Sequence, residues 1–207
     1  MYPKIVDNIS RIKAEIGGRA QVLGATKNVP PDIVDFVLDN NLLDAVGENR
    51  AQEFVQKYKQ RHAGKMHFIG RLQTNKAKYI NGKAALVHSL DSERLAGFLT
   101  GDCLIQLNMG DEAAKGGISA DNLFGFAEIL QKTRPEISIK GLCGVFPIAE
   151  PKVLIPAYKR LNSLFERFKA LYPQAAVLSA GMSGDYKIAV EYGGATIVRL
   201  GSVLFAT

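Results

Sequence analysis

Apolar residues recur along this chain in two alternating periods, and the alternation itself predicts the architecture. Ile5, Val6, Ile9, Ile12 and Ile16 fall at helical spacing between Pro3 and Ile16, and Gly17-Gly18 stop the helix. Val22-Leu23-Gly24-Ala25 follows as a strand ending at Thr26-Lys27, and the helix Pro31 to Asn40 is opened by proline. The strand Asp44 to Asn49 and a helix from Arg50 to about Arg61 repeat the unit. Further strands are expected at Lys65 to Gly70, Ala85 to Leu90, Cys103 to Asn108, Ser138 to Val145, Ala175 to Ser179 and Ala195 to Gly201. Helices are expected between them at Gln73 to Ile80, Ser92 to Leu99 (with Asp91 as N-cap), Asp121 to Thr133, Val153 to Leu171 and Asp185 to Tyr192, and a polar loop at Met109 to Ile118.

Strands rich in Val, Ile, Leu and Ala that alternate with helices are parallel strands covered on their outer face. Eight such units with no reversal close into a (β/α)8 TIM barrel preceded by one extra helix, and a single domain over residues 1–207 is expected. A doubly wound open sheet shares this periodicity. The glycine-rich dinucleotide turn is missing after the first strand, where a lysine stands instead.

Composition adds limits. With 47% apolar and 22% charged residues the chain is globular, and it has no apolar run long enough to span a bilayer and no apolar centre near its start, so a cytoplasmic, membrane-free protein is expected. Cys103 and Cys143 lie in apolar strands without paired spacing, so neither a disulfide nor a metal site is expected. The net charge of +6 is dispersed. Its densest patch, Lys76-Ala77-Lys78 near Arg71 and Lys83, has only Tyr79 as an aromatic neighbour, so phosphate-bearing small molecules are favoured over nucleic acid.

In a barrel, chemistry gathers at the carboxyl ends of the strands. Those ends carry Lys27, Glu48-Asn49, Gly70-Arg71, Ser89-Asp91, Asn108, Phe146-Pro147, Met182-Ser183 and Arg199-Gly201-Ser202, a polar and glycine-rich set suited to holding a phosphate, and an anion is expected at the loops Ser179 to Asp185 and Arg199 to Ser202. Lys27 has two readings: a snorkelling lysine with a buried stem, or a Schiff-base lysine activated by partial desolvation. Ser183 is equally an N-cap or a phosphate ligand, Glu48 equally a site carboxylate or half of an ion pair, and Gly201-Ser202 equally a plain turn. His67 and His88 are expected to be hydrogen-bonded inside the barrel, His62 on the surface, and Phe165 and Phe168 in the core.

Several segments together resemble one family. They are Thr26-Lys27, Gly47-Glu48-Asn49 with Gln52-Glu53, His67 to Lys76, His88 to Ser92, Leu178 to Ser183 and Val198 to Gly201, in the order found in the pyridoxal phosphate homeostasis proteins, which are similar to the barrel domain of alanine racemase. The resemblance implies pyridoxal 5′-phosphate (PLP) held as an aldimine on Lys27, Arg199 facing the pyridine nitrogen, Ser183, Gly201 and Ser202 on the phosphate, and Asn49 and Met182 beside the cofactor. It also implies a carrier of the cofactor, monomeric, with apo PLP-dependent enzymes as partners and little or no catalysis. The alternative is a PLP-dependent amino-acid racemase, which needs a second acid/base group such as Tyr79 or Tyr186, since the tyrosine-bearing β-domain of alanine racemase has no counterpart here. Arg71, Thr74, Met66 and Ala180 depart from the family's usual residues, and the chain stops at Phe205-Ala206-Thr207 where the family usually continues.

Overall fold

The computed structural model describes residues 2–110 and 116–206. Helix α1 (Tyr2–Ile16) buries Ile5, Ile9, Ile12 and Ile16 along one stripe, each burial contributing roughly 2 kcal/mol. The Asn8 amide donates to the Leu204 carbonyl at 3.2 Å, and the Tyr2 hydroxyl to Asp32 at 2.9 Å. The extra helix therefore ties down the chain's last described turn.

The strands are β1 (Gln21–Ala25), β2 (Ala45–Glu48), β3 (Met66–Phe68), β4 (Leu86–Leu90), β5 (Gly101–Asn108), β6 (Ile118–Ser119), β7 (Ile137–Val145), β8 (Val177–Ser179) and β9 (Ile197–Leu200). All pair in parallel. The order β4-β3-β2-β1-β9-β8-β7-β5 closes on itself through β4 and β5, giving an eight-stranded barrel, while β6 pairs with the end of β5 beyond the reach of β4. The barrel predicted from the pattern is the barrel observed, with one short strand added in the loop expected at Met109 to Ile118; residues 111–115 of that loop lie outside the described residues.

Helices α2 (Pro31–Asp39), α3 (Ala51–Lys57), α4 (Glu93–Ala96), α5 (Leu123–Thr133), α6 (Pro151–Leu171), α7 (Tyr186–Gly193) and α8 (Ser202–Phe205) surround it. Some are shorter than predicted. The helix expected to reach Arg61 stops at Lys57 and gives way to a 3₁₀ turn at Gln60–Lys65, and the one expected from Gln73 is a 3₁₀ turn, Thr74–Tyr79. Ser92 rather than Asp91 caps α4, accepting from the Leu95 amide at 3.2 Å. His62 is not a surface residue: it is 3% exposed, with Nε2 2.7 Å from Asp39 Oδ1.

Side chains alternate across each strand, so the barrel has two cores. Phe165 and Phe168 belong to the outer core between sheet and helices, as expected. The interior holds an apolar layer of Leu23, Ala45, Leu86, Leu104, Cys143 and Ile197. Towards the carboxyl ends the buried residues turn polar, with His67, His88, Gln106, Ser179 and Arg199. Among the described residues no helix is long and apolar enough to cross a membrane.

Candidate functional site

At the carboxyl ends of the strands an open cavity of about 990 Å³ is lined by all seven residues singled out from the sequence: Lys27, Asn49, Met182, Ser183, Arg199, Gly201 and Ser202. Asn28, Gly70, Gln106, Gly184 and Asp185 line it as well; Gly70 had been noted as a strand end, and Gly184 and Asp185 as part of the loop expected to hold an anion. Pro147, Ile148, Ala149, Leu154 and Phe205 give it an apolar wall. Gly70 is required here, because a Cβ on it would lie 2.0 Å from the Asn49 carbonyl oxygen.

Lys27 is exposed to the cavity, and its amine forms no hydrogen bond or ion pair among the described residues. Its backbone, in contrast, is bracketed. Thr26 before it is fully buried and donates its hydroxyl to Glu48 Oε1 at 2.5 Å; Lys57 Nζ donates to the Thr26 carbonyl and to Glu48 Oε1, both at 2.7 Å. Asn28 after it is left-handed (φ 61°) and donates its amide to Glu53 Oε2 at 3.3 Å. Glu48 is thus half of an ion pair, beneath the cavity rather than in it. Burial pushes its carboxyl up, against the hydrogen bonds from Lys57 and Thr26, and its Oε2 has no partner.

Arg199 is held on β9, the strand paired with β1. It is 8% exposed; Nη1 donates to Ser179 Oγ at 2.8 Å and lies 3.3 Å from Cys143 Sγ, and Nη2 donates to the Gly144 carbonyl at 3.1 Å. None of these partners is charged, and no carboxylate among the described residues neutralises the guanidinium. Cys143, expected only as core, is therefore also part of this cradle.

The two histidines continue the network as expected. His88 Nδ1 lies 3.0 Å from Ser179 Oγ, and His88 Nε2 lies 3.0 Å from His67 Nδ1. A guanidinium only donates, so Ser179 Oγ accepts from it and is free to give its own proton to His88 Nδ1; His88 then donates from Nε2 to His67. Burial lowers the His67 pKa to about 4, and burial together with the His67 and Arg199 charges pushes His88 well below its ordinary value. Both rings are neutral at pH 7.

The β8 and β9 loops supply donors. Gly181 adopts φ 90°, and Asp185 fixes the turn by accepting from the Met182 amide and from the Tyr158 hydroxyl, both at 2.6 Å. Helix α7 begins after Asp185, so Ser183 is not its cap; its hydroxyl accepts from the Gly201 amide at 3.4 Å. The amides of Ser183, Gly184 and Ser202 donate to nothing among the described residues. Such unfilled N–H groups beside a buried guanidinium suit an anion. Tyr79 is stacked between Lys76 and Lys78 (5.7 and 5.2 Å from its ring) and Tyr186 donates to Glu15, so neither tyrosine lines the cavity.

Lys57 and Tyr158 were not singled out from the sequence, and Ser179 and Asp185 only as the ends of the loop expected to hold an anion. Ser179 and Asp185 flank the Gly-Met-Ser segment and were within reach of that motif, whereas Lys57 and Tyr158 sit in helical stripes that look like ordinary surface and core.

A parallel barrel with a lysine ending its first strand and an arginine in its last defines a class, and the sequence agrees: it matches the family described as alanine racemase, N-terminal domain, over residues 2–207, and the chain belongs to it. The particular relatives are pyridoxal phosphate homeostasis proteins. The chain is 40% identical to that of Aquifex aeolicus over 200 residues, covering 90% of this chain and 86% of that protein. It is 33% identical to that of Vibrio cholerae over 229 residues, covering 97% and 95%. Among solved structures, PipY of Synechococcus elongatus with PLP bound superposes with a TM-score of 0.82 at 23% identity, over 98% of this chain and 100% of that one, which shows the shared fold.

Proposed function

We propose that this protein binds pyridoxal 5′-phosphate in the cavity and serves intracellular PLP homeostasis as a carrier of the cofactor. The observation that carries the reading is the pairing of Lys27, whose amine has no partner among the described residues, with a buried guanidinium, Arg199, that no carboxylate among them neutralises. The names of the Aquifex and Vibrio relatives and the PLP in the PipY structure support it. Lys27 would hold the cofactor covalently through its amine, for which the cofactor would supply an aldehyde carbon. Arg199 lies against the pyridine nitrogen; being always protonated, it keeps that nitrogen unprotonated and makes the ring a weak electron sink. Ser183, Gly201, Ser202 and the free amides hold the phosphate, with Asn49 and Met182 beside the ring.

A weak sink suits holding and delivery better than carbanion chemistry. The racemase reading draws on the family match alone, and neither Tyr79 nor Tyr186 lines the cavity to serve as its second base. A monomer in the cytoplasm that hands PLP to apo-enzymes completes the proposal.

The test is absorbance. Wild-type protein mixed with PLP is expected to show a band at roughly 420 nm, and Lys27→Ala to lack it. A band that persists in the variant puts the imine on another lysine.

A further inference from the structure

The Lys27 side chain has no partner among the described residues to aim it, so its direction is set by the backbone that carries it. That backbone is gripped from both sides by one cluster. Lys57 and Glu48 hold both polar oxygens of Thr26, and Glu53 holds the amide of Asn28, whose left-handed conformation turns the chain immediately after the lysine. Lys57 joins the two halves, lying 2.7 Å from Glu48 and 3.5 Å from Glu53.

A tie between β2 and α3 does not require this chemistry. Buried ion pairs contribute little net stability against a well-packed apolar pair, and this one leaves Glu48 Oε2 without a hydrogen bond. What the charged groups supply, and an apolar pair cannot, is directional hydrogen bonding to residues 26 and 28. We propose that Glu48, Lys57 and Glu53 are positioning residues that clamp the peptide on either side of Lys27 and thereby aim its amine at the carbonyl carbon of the bound cofactor. The proposal rests on Lys27 being the imine-forming residue. It assigns a role to the Gly-Glu-Asn and Gln-Glu segment that cofactor contacts leave unexplained.

The test compares two ligands on the double variant Glu48→Gln/Lys57→Met, which removes both charges together. PLP forms the imine; pyridoxine 5′-phosphate, an alcohol in place of the aldehyde, occupies the same cavity and cannot. Loss of aim is expected to weaken imine formation, read at roughly 420 nm, about tenfold, while pyridoxine 5′-phosphate binding by calorimetry stays at its wild-type value. Equal loss for both ligands, or no loss for PLP, overturns the proposal. Glu53→Gln, which weakens the contact to Asn28 and the long contact to Lys57 but keeps the Glu48–Lys57 pair, is expected to show the same selectivity more weakly and carries the comparison if the double variant does not fold. A wild-type protein with no band sinks the Lys27 reading itself, an outcome distinct from a wild-type band that the variants keep.

Discussion

Two buried cations flank the end of β1 and are held in opposite ways. Lys57, at the β1–β2 corner, has its carboxylate: Glu48 lies 2.7 Å away and is fully buried. Arg199, in β9, has among the described residues only a hydroxyl, a thiol and a carbonyl. The neutralised cation lies beneath the cavity and touches backbone; the other lines the cavity with charge to spare. A buried charge left without a counter-ion is costly to maintain, and it marks the side on which a ligand is to complete the structure.

The contrast predicts a crossover between two variants. Lys57→Met strands the Glu48 carboxyl and is expected to cost about 3–5 kcal/mol of unfolding free energy at pH 7. Arg199→Met leaves only neutral acceptors unsatisfied, at about 1–3 kcal/mol. For PLP affinity without the covalent bond, measured with pyridoxine 5′-phosphate, the order reverses and Arg199→Met is the more damaging. Urea midpoints and calorimetry on the same two proteins read both; the same order in both measurements would erase the distinction. The loss in Lys57→Met also shrinks as pH falls, because a carboxyl whose folded pKa is raised contributes its stability when protonated and loses it as pH rises.

The next expectation concerns the histidine side. His67 titrates at about 4 in the folded protein against 6.5 unfolded, so between those values the unfolded chain binds the additional proton. Stability therefore falls as pH drops from 6.5 to 4, by about 3 kcal/mol for this group. His67→Gln, whose amide still accepts from His88, is expected to reduce the slope of the urea midpoint over that window, and the slope that remains belongs to His88, whose pKa burial lowers as well. A slope unchanged in the variant would assign the loss to another group.

The barrel was legible because its strands are long apolar runs whose period does not depend on what they contact. The helices Gln73 to Ile80 and Ser92 to Leu99 were overread: Arg71-Leu72-Gln73 and Gly97 leave too few apolar positions at helical spacing to extend a 3₁₀ turn or a single α turn. Site residues at strand ends were visible because the fold dictates where chemistry gathers. Lys57 and Tyr158 were not, since their partners Glu48 and Asp185 are distant in sequence and only packing brings them together. His62 was misplaced for the same reason: Asp39, 23 residues away, covers it.

The smallest effect expected lies in the phosphate loop. The Ser183 hydroxyl touches Gly201 weakly, at 3.4 Å, so Ser183→Ala is expected to leave the urea midpoint within about 0.5 kcal/mol of wild type. Against a phosphate dianion the same hydroxyl is a charge-assisted donor worth about 1.5 kcal/mol, roughly tenfold in affinity. Pyridoxal, which lacks the phosphate, separates the possibilities. PLP binding is expected to weaken about tenfold in the variant and pyridoxal binding to stay unchanged. If both fall together, the hydroxyl acts on the ring or on the Arg199 side, and the division of labour between the two halves of the mouth is drawn in the wrong place.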